Sequence, residues 1–127
     1  MVDKGFRTLI AEANAVVPRI AVEDAQKRLE SGDAVFVDVR ESQEVARGMI
    51  PGAVHAPRGF LEFVADPEGP MHRPELAGEK TLIVYCASGG RSALAGKTLK
   101  EMGFDDVINL AGGMAAWTQA NGPVARD

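Results

Sequence analysis

The chain has 127 residues, 46% of them hydrophobic and 25% charged, the make-up of one globular domain with a real core. Fourteen Lys and Arg stand against eighteen Asp and Glu, and the formal charge of -4 speaks against a general nucleic-acid binder. The single cysteine, Cys86, excludes an internal disulfide. Two histidines seventeen positions apart, His55 and His72, form no ligand cluster, so neither a metal nor a cofactor is expected. No segment approaches the roughly 18 apolar residues of a membrane span. Asp3, Lys4, Arg7 and Glu12 interrupt any signal-peptide core, so the expected setting is the cytoplasm, off the membrane, with the thiol reduced.

Residues 4–15 predict a short amphipathic helix, with Phe6, Leu9, Ile10 and Ala13 on one side. Pro18 separates it from a second helix at 22–31, which has acids early, Lys27 and Arg28 late, and Gly32 as its stop. Residues 34–39 are a β-branched apolar run ending in charge, as expected of a buried parallel strand. A helical turn or two at 41–47 closes at Gly48, Pro51-Gly52 turns, and 53–56 predict a short strand. A short helix follows at 59–65. Residues 66–79, with three prolines and two glycines, predict a long loop. The clearest strand is 80–85 and the clearest helix 91–102, stopped by Gly103. A last strand at 107–109 and a last helix at 113–120 complete the chain. Strands alternating with helices imply an α/β fold with a parallel sheet. The alternation starts near Ile20, so residues 1–17 read as an appended helix and 18–127 as the domain.

Between the strand end at Cys86 and the helix start near Arg91 and Ser92 lie only Ala87, Ser88, Gly89 and Gly90. A tight loop of small residues can curl its backbone N–H groups around whatever Cys86 carries, and adjacent glycines permit the dihedrals this needs. The helix dipole adds partial positive charge there, and Arg91 a full one. Together they are expected to lower the thiol pKa and make Cys86 a nucleophile. Ligands of open α/β sheets bind at the carboxyl ends of the strands, where this loop sits. A cysteine at a strand end is otherwise a small buried hydrophobe. An ordinary nucleotide P-loop is excluded, because GxxxxGK[ST] is absent.

The run Cys86-Ala87-Ser88-Gly89-Gly90-Arg91-Ser92 resembles the active-site loop of the rhodanese sulfurtransferases. Asp38-Val39-Arg40-Glu41, with Glu44 and Gly48-Met49-Ile50-Pro51-Gly52-Ala53-Val54, resembles the family's N-terminal signature. Asn109-Leu110-Ala111-Gly112-Gly113 followed by Trp117 resembles its C-terminal signature. The resemblance covers roughly residues 18–122. It implies a small parallel sheet of about five strands with helices on both faces. It also implies sulfur transfer: the Cys86 thiolate takes the outer sulfur of a donor such as thiosulfate, and the persulfide hands it to cyanide or a cellular thiol. Residues 87–92 would bind the substrate. Relatives that handle thiosulfate often carry a basic residue where this chain has Ala87, which counts against thiosulfate as the natural donor.

Arg58, after the strand at 53–56, is a candidate second contact for an anionic donor; the alternative is a solvated arginine. Asp38 and Arg40 read as a structural ion pair, with Arg40 in the anion pocket as the alternative. His55 is expected at the core edge and His72 in solvent. Trp117, Met71, Met102 and Met114 are expected to pack. Two other functions stay open. One is a carrier or sensor of sulfur that receives it from, or passes it to, a protein or thiol partner. The other is a cysteine phosphatase or arsenate reductase on the same fold, families similar to this one but with five residues between Cys and Arg rather than four. A thioredoxin-like reductase is excluded by the missing second cysteine. Both a monomer and a homodimer fit the sequence.

Overall fold

The computed structural model describes residues 2–126. Its elements run α1 (Phe6–Val16), β1 (Arg19–Ile20), α2 (Val22–Ser31), β2 (Ala34–Asp38), α3 (Ser42–Ala46) and β3 (Val54–His55). They continue with α4 (Leu61–Ala65), β4 (Thr81–Tyr85), α5 (Gly90–Met102), β5 (Val107–Leu110) and α6 (Gly113–Gln119). The five strands form one sheet in the order β1-β5-β4-β2-β3, with every pairing parallel. The fold expected from the sequence is the fold found. The sequence reading did not identify β1 as a strand. Two residues carry no periodicity, and Arg19–Ile20 is a strand only because it pairs with Asn109 and Leu110.

Successive strand residues point to opposite faces, and this alternation splits the core in two. Val37, Val39, Leu82, Val84 and Cys86 face the layer that holds α4 and α5, where they meet Leu61, Val64, Ala95 and Leu99. Phe36, Ile83, Tyr85 and Leu110 face the layer of α2 and α6, where they meet Val22, Ala25, Met114 and Trp117. Trp117 is fully buried, as expected; its ring meets Phe36 edge-on at 5.7 Å and its Nε1 donates to Pro123 O at 2.8 Å.

Helix α1 lies against α5. Gly96 leaves room for Val17, whose methyl would stand 3.0 Å from a Cβ placed there. Ala13 is buried, but Phe6 and Leu9 are 66% and 41% exposed, so only part of the expected apolar side is covered. The reason is length: α5 begins at Gly90, beside Ile10, and offers nothing beyond it for the first turn of α1 to cover. Met71 and Met102 are likewise exposed rather than packed, whereas Met114 is buried. The long loop carries a single 3-10 turn, Pro74–Ala77, which is pinned by fully buried Leu76.

Candidate active site

The site begins with the alternation of β4. Cys86 follows Tyr85, so its side chain turns to the α5 face and comes to lie beneath the first turn of that helix. It is 1% exposed. The chain reverses through Gly89, whose φ of +116° favours glycine. That conformation directs the Gly89 N–H at Cys86 Sγ, 3.1 Å away. Ser92, on the first turn of α5, places its Oγ 3.4 Å from the same sulfur. Burial pushes the Cys86 thiol up. Hydrogen bonds from the Ser92 hydroxyl and from the backbone N–H groups of Ser92, Gly89 and Ser88 outweigh it and leave the thiol below its ordinary value.

The loop is also held from behind. The first N–H groups of α6 donate outward, Met114 N to Cys86 O at 2.8 Å and Ala115 N to Ala87 O at 3.1 Å. Gly113 makes this approach feasible, since a Cβ there would stand 2.5 Å from Cys86 O. From β5, Asn109 reaches the loop with both ends of its amide. Its Nδ2 donates to Gly89 O at 3.1 Å and its Oδ1 accepts from Ser92 Oγ at 2.7 Å. A cavity of about 210 Å³ flanks the loop between Ile10 and Asn14 of α1, Arg19, and the backbone of 88–90 and 110–112. Helix α1 therefore forms part of the wall beside the loop.

Arg91 has a partner that was not expected, beside its interaction with Cys86. Instead of standing free over the sulfur, its guanidinium forms a two-pronged ion pair with Glu44 of α3, at 2.7 and 2.9 Å. The pair draws the Glu44 carboxyl down to about 2 and raises Arg91 further. The full positive charge expected at the loop is thus largely met by a carboxylate. The lowered thiol of Cys86 comes chiefly from hydrogen-bond donors.

Of the expected loop residues, Ser88, Gly89 and Ser92 donate to Sγ. Arg58 is placed apart from them. Its guanidinium bridges Glu62 of α4 at 3.2 Å and Thr98 of α5 at 3.1 Å. Asp38 and Arg40 are the expected structural pair: Arg40 grips both carboxylate oxygens at 2.8–3.2 Å, donates to Gly48 O at 2.7 Å, and lies over the Tyr85 ring. His55 Nε2 lies 2.8 Å from Arg40 O at the core edge. His72 is not in solvent as expected; it is half-buried, and its Nδ1 is buried with no hydrogen-bond partner. The sequence reading did not assign Glu44 and Asn109 to the site, although both sat inside quoted motifs. For Asn109 there was a signal: one amide inside the apolar strand Val-Ile-Asn-Leu.

Comparison with known proteins places the chain in a family. The rhodanese-like domain matches residues 21–120. A sulfurtransferase of Allochromatium vinosum is 33% identical over 100 residues, covering 79% of this chain and 86% of that protein. A Bacillus subtilis protein named for sulfur carriage, YrkF, is 35% identical over 109 residues, covering 85% of this chain but only 55% of its own length. Among solved structures, a Rhodopseudomonas palustris protein described as of unknown function and a possible tyrosine phosphatase superposes with a TM-score of 0.93. It is 39% identical, and the match covers 98% of this chain and 97% of that one.

Proposed function

The chain belongs to the rhodanese-like family, and from that premise we propose that it moves a sulfane sulfur from a donor to a thiophilic acceptor through a persulfide on Cys86. The observation that carries this reading is the Gly89 N–H aimed at Cys86 Sγ from 3.1 Å, within a loop of small residues. In the first step the thiolate attacks the outer sulfur of the donor. With thiosulfate, the new S–S bond forms as the old one breaks, and sulfite leaves with the electron pair. The terminal sulfur now carries the negative charge, and backbone N–H groups of residues 87–92 stabilise it as oxyanion-hole donors stabilise oxygen. In the second step cyanide, or a cellular thiolate, attacks that sulfur and the Cys86 thiolate leaves. Ala87 leaves the loop without a cation next to the cysteine, which favours a protein persulfide over thiosulfate as the natural donor. Residues 1–17 extend a domain over 18–127, which works in a reducing compartment where a lone thiol persists.

Intact mass tests this. After thiosulfate the chain should gain one sulfur, which cyanide then removes, and Cys86→Ser should gain none. Loading without turnover would favour the carrier reading that the likeness to YrkF supports. The likeness to a possible tyrosine phosphatase supplies the other rival. Four residues between Cys86 and Arg91 make a ring sized for one sulfur atom, and Arg91 is already paired with Glu44. Efficient hydrolysis of an aryl phosphate with no thiocyanate formed from thiosulfate and cyanide would overturn the sulfurtransferase reading.

A further inference from the structure

Serine has one hydroxyl hydrogen, and Ser92 is placed between two groups that want it. Its Oγ lies 2.7 Å from Asn109 Oδ1 and 3.4 Å from Cys86 Sγ, and all three side chains are buried. The amide orientation follows from its other end. Gly89 O can only accept, so the group facing it at 3.1 Å must be the Asn109 NH2. The amide oxygen therefore faces Ser92, and it too can only accept. While Cys86 is a neutral thiol, the Ser92 hydrogen belongs to Asn109, and the serine oxygen can receive the weak S–H donor.

Ionisation of Cys86 reverses the demand. A thiolate needs a donor, and a serine lone pair pointed at it would repel. The hydrogen must swing from Asn109 to Sγ, which leaves a buried amide oxygen without its donor. We propose that Asn109 is a positioning residue that competes with Cys86 for the Ser92 hydrogen, and so sets how strongly the loop stabilises the free thiolate. The competition has a direction in catalysis. When the outer sulfur of a persulfide carries the charge, Sγ is a neutral bridging sulfur and the hydrogen can return to Asn109. Asn109 thereby favours the loaded state over the free thiolate. It also keeps the thiolate more basic, and hence more nucleophilic, than four unopposed donors would leave it.

Three sets of charged groups bear on this exchange. From α5 and α3 there is the Arg91–Glu44 pair, from the end of β2 and the residues after it the Asp38–Arg40 pair, and from β1 Arg19, which is the register partner of Asn109 and lines the same cavity. Strand β5 and helix α6, which also abut the loop, carry no charged residue.

The test is the pH dependence of Cys86 alkylation by iodoacetamide, in the intact chain and with circular dichroism as the check on folding. The inference rests on Cys86 as the reactive group, but alkylation needs no sulfur transfer, so it can fail while the proposed function stands. Ser92→Ala should raise the midpoint. Asn109→Leu should lower it by about one pH unit, a tenfold change in the thiol–thiolate equilibrium and the scale of one charge-assisted hydrogen bond. Gly89 O keeps its bond from Ala93 N in that variant, so the loop retains one anchor. In the Ser92→Ala background Asn109→Leu should do nothing. A raised or unchanged midpoint in Asn109→Leu, or an equal drop with and without Ser92, overturns the proposal. If Asn109→Leu does not fold, Asn109→Asp decides. It keeps the shape and strengthens the acceptor, so it should raise the midpoint more with Ser92 than without, and equal rises overturn the proposal.

Discussion

Arg91 and Glu44 tie the first turn of α5 to α3 through two parallel hydrogen bonds, 2.7 and 2.9 Å long. An arginine at a helix N-terminus opposes the helix dipole, whereas a carboxylate there is favoured. The pair resolves that conflict and fixes the guanidinium plane beside the cysteine loop. Arg91 can still attract an anionic donor, but with its charge shared.

Arg91→Ala should therefore raise the KM for thiosulfate more than it lowers kcat, because it removes an attraction common to bound substrate and transition state. Glu44→Gln should act in the opposite sense and lower KM, by freeing the guanidinium. Steady-state thiocyanate formation at fixed cyanide measures both. A fall in kcat with unchanged KM in Arg91→Ala would place Arg91 in the transition state instead.

The same pair predicts an acid-labile contribution to stability. The Arg91 guanidinium holds the Glu44 carboxyl down to about 2 in the folded chain, against an ordinary value of 4.5 when unfolded. A depressed carboxylate stabilises the fold fully above the higher value and progressively less as pH falls toward the lower. Both partners are partly exposed, which limits the gain to about 1 kcal/mol or less. The urea midpoint of Glu44→Gln should lie below that of the parent at pH 7, and the gap should close between pH 4.5 and 2. A gap independent of pH would mean that packing, not charge, separates the two.

Gly113→Ala should be among the most damaging single-methyl changes in the chain. Its φ is +57°, and the new Cβ would stand 2.5 Å from Cys86 O and 2.8 Å from Ala87 O. Backbone atoms cannot yield as a flexible side chain can, so the loop and α6 must separate. A loss of about 2 kcal/mol or more is expected, together with slower sulfur transfer. Gly32→Ala is the control: φ is +71° but no atom lies within 4 Å, so it should cost about 1 kcal/mol and leave transfer unchanged. Thermal melts and a transfer assay on both variants separate strain from collision.

Arg40→Leu should destabilise the chain by about 3 kcal/mol or more, because it strands Asp38, which is fully buried. The Gly48 carbonyl would lose its 2.7 Å donor at the same time. Chemical denaturation measures the loss, and a change below about 1 kcal/mol would show that water replaces the guanidinium.

How far the sequence carried depended on how local each cause was. Strands β2 and β4 and helix α5 were legible because apolar runs, a glycine stop and helix-forming residues specify them within their own span. The cysteine loop was legible because small residues between a strand and a helix have few other uses. Strand β1 was not, since its hydrogen bonds come from β5, ninety residues later. The exposure of Phe6 and Leu9 depends on where α5 starts, which the pattern of α1 cannot encode. Glu44 and Asn109 reach the loop from α3 and β5, so their roles needed three-dimensional placement.

The last turns of the chain have a bearing on how this domain could be joined to others. Beyond α6, Gly122 packs beneath the Trp117 ring, Pro123 O receives the indole N–H, Ala125 bridges to Met49, and Arg126 donates to Arg47 O. The recognisable family match stops at residue 120. A fusion spliced at that boundary would leave the indole without its acceptor and unclip the segment following α3, the helix that presents Glu44. A graft that preserves these contacts must keep residues 122–126, outside the span that family likeness marks.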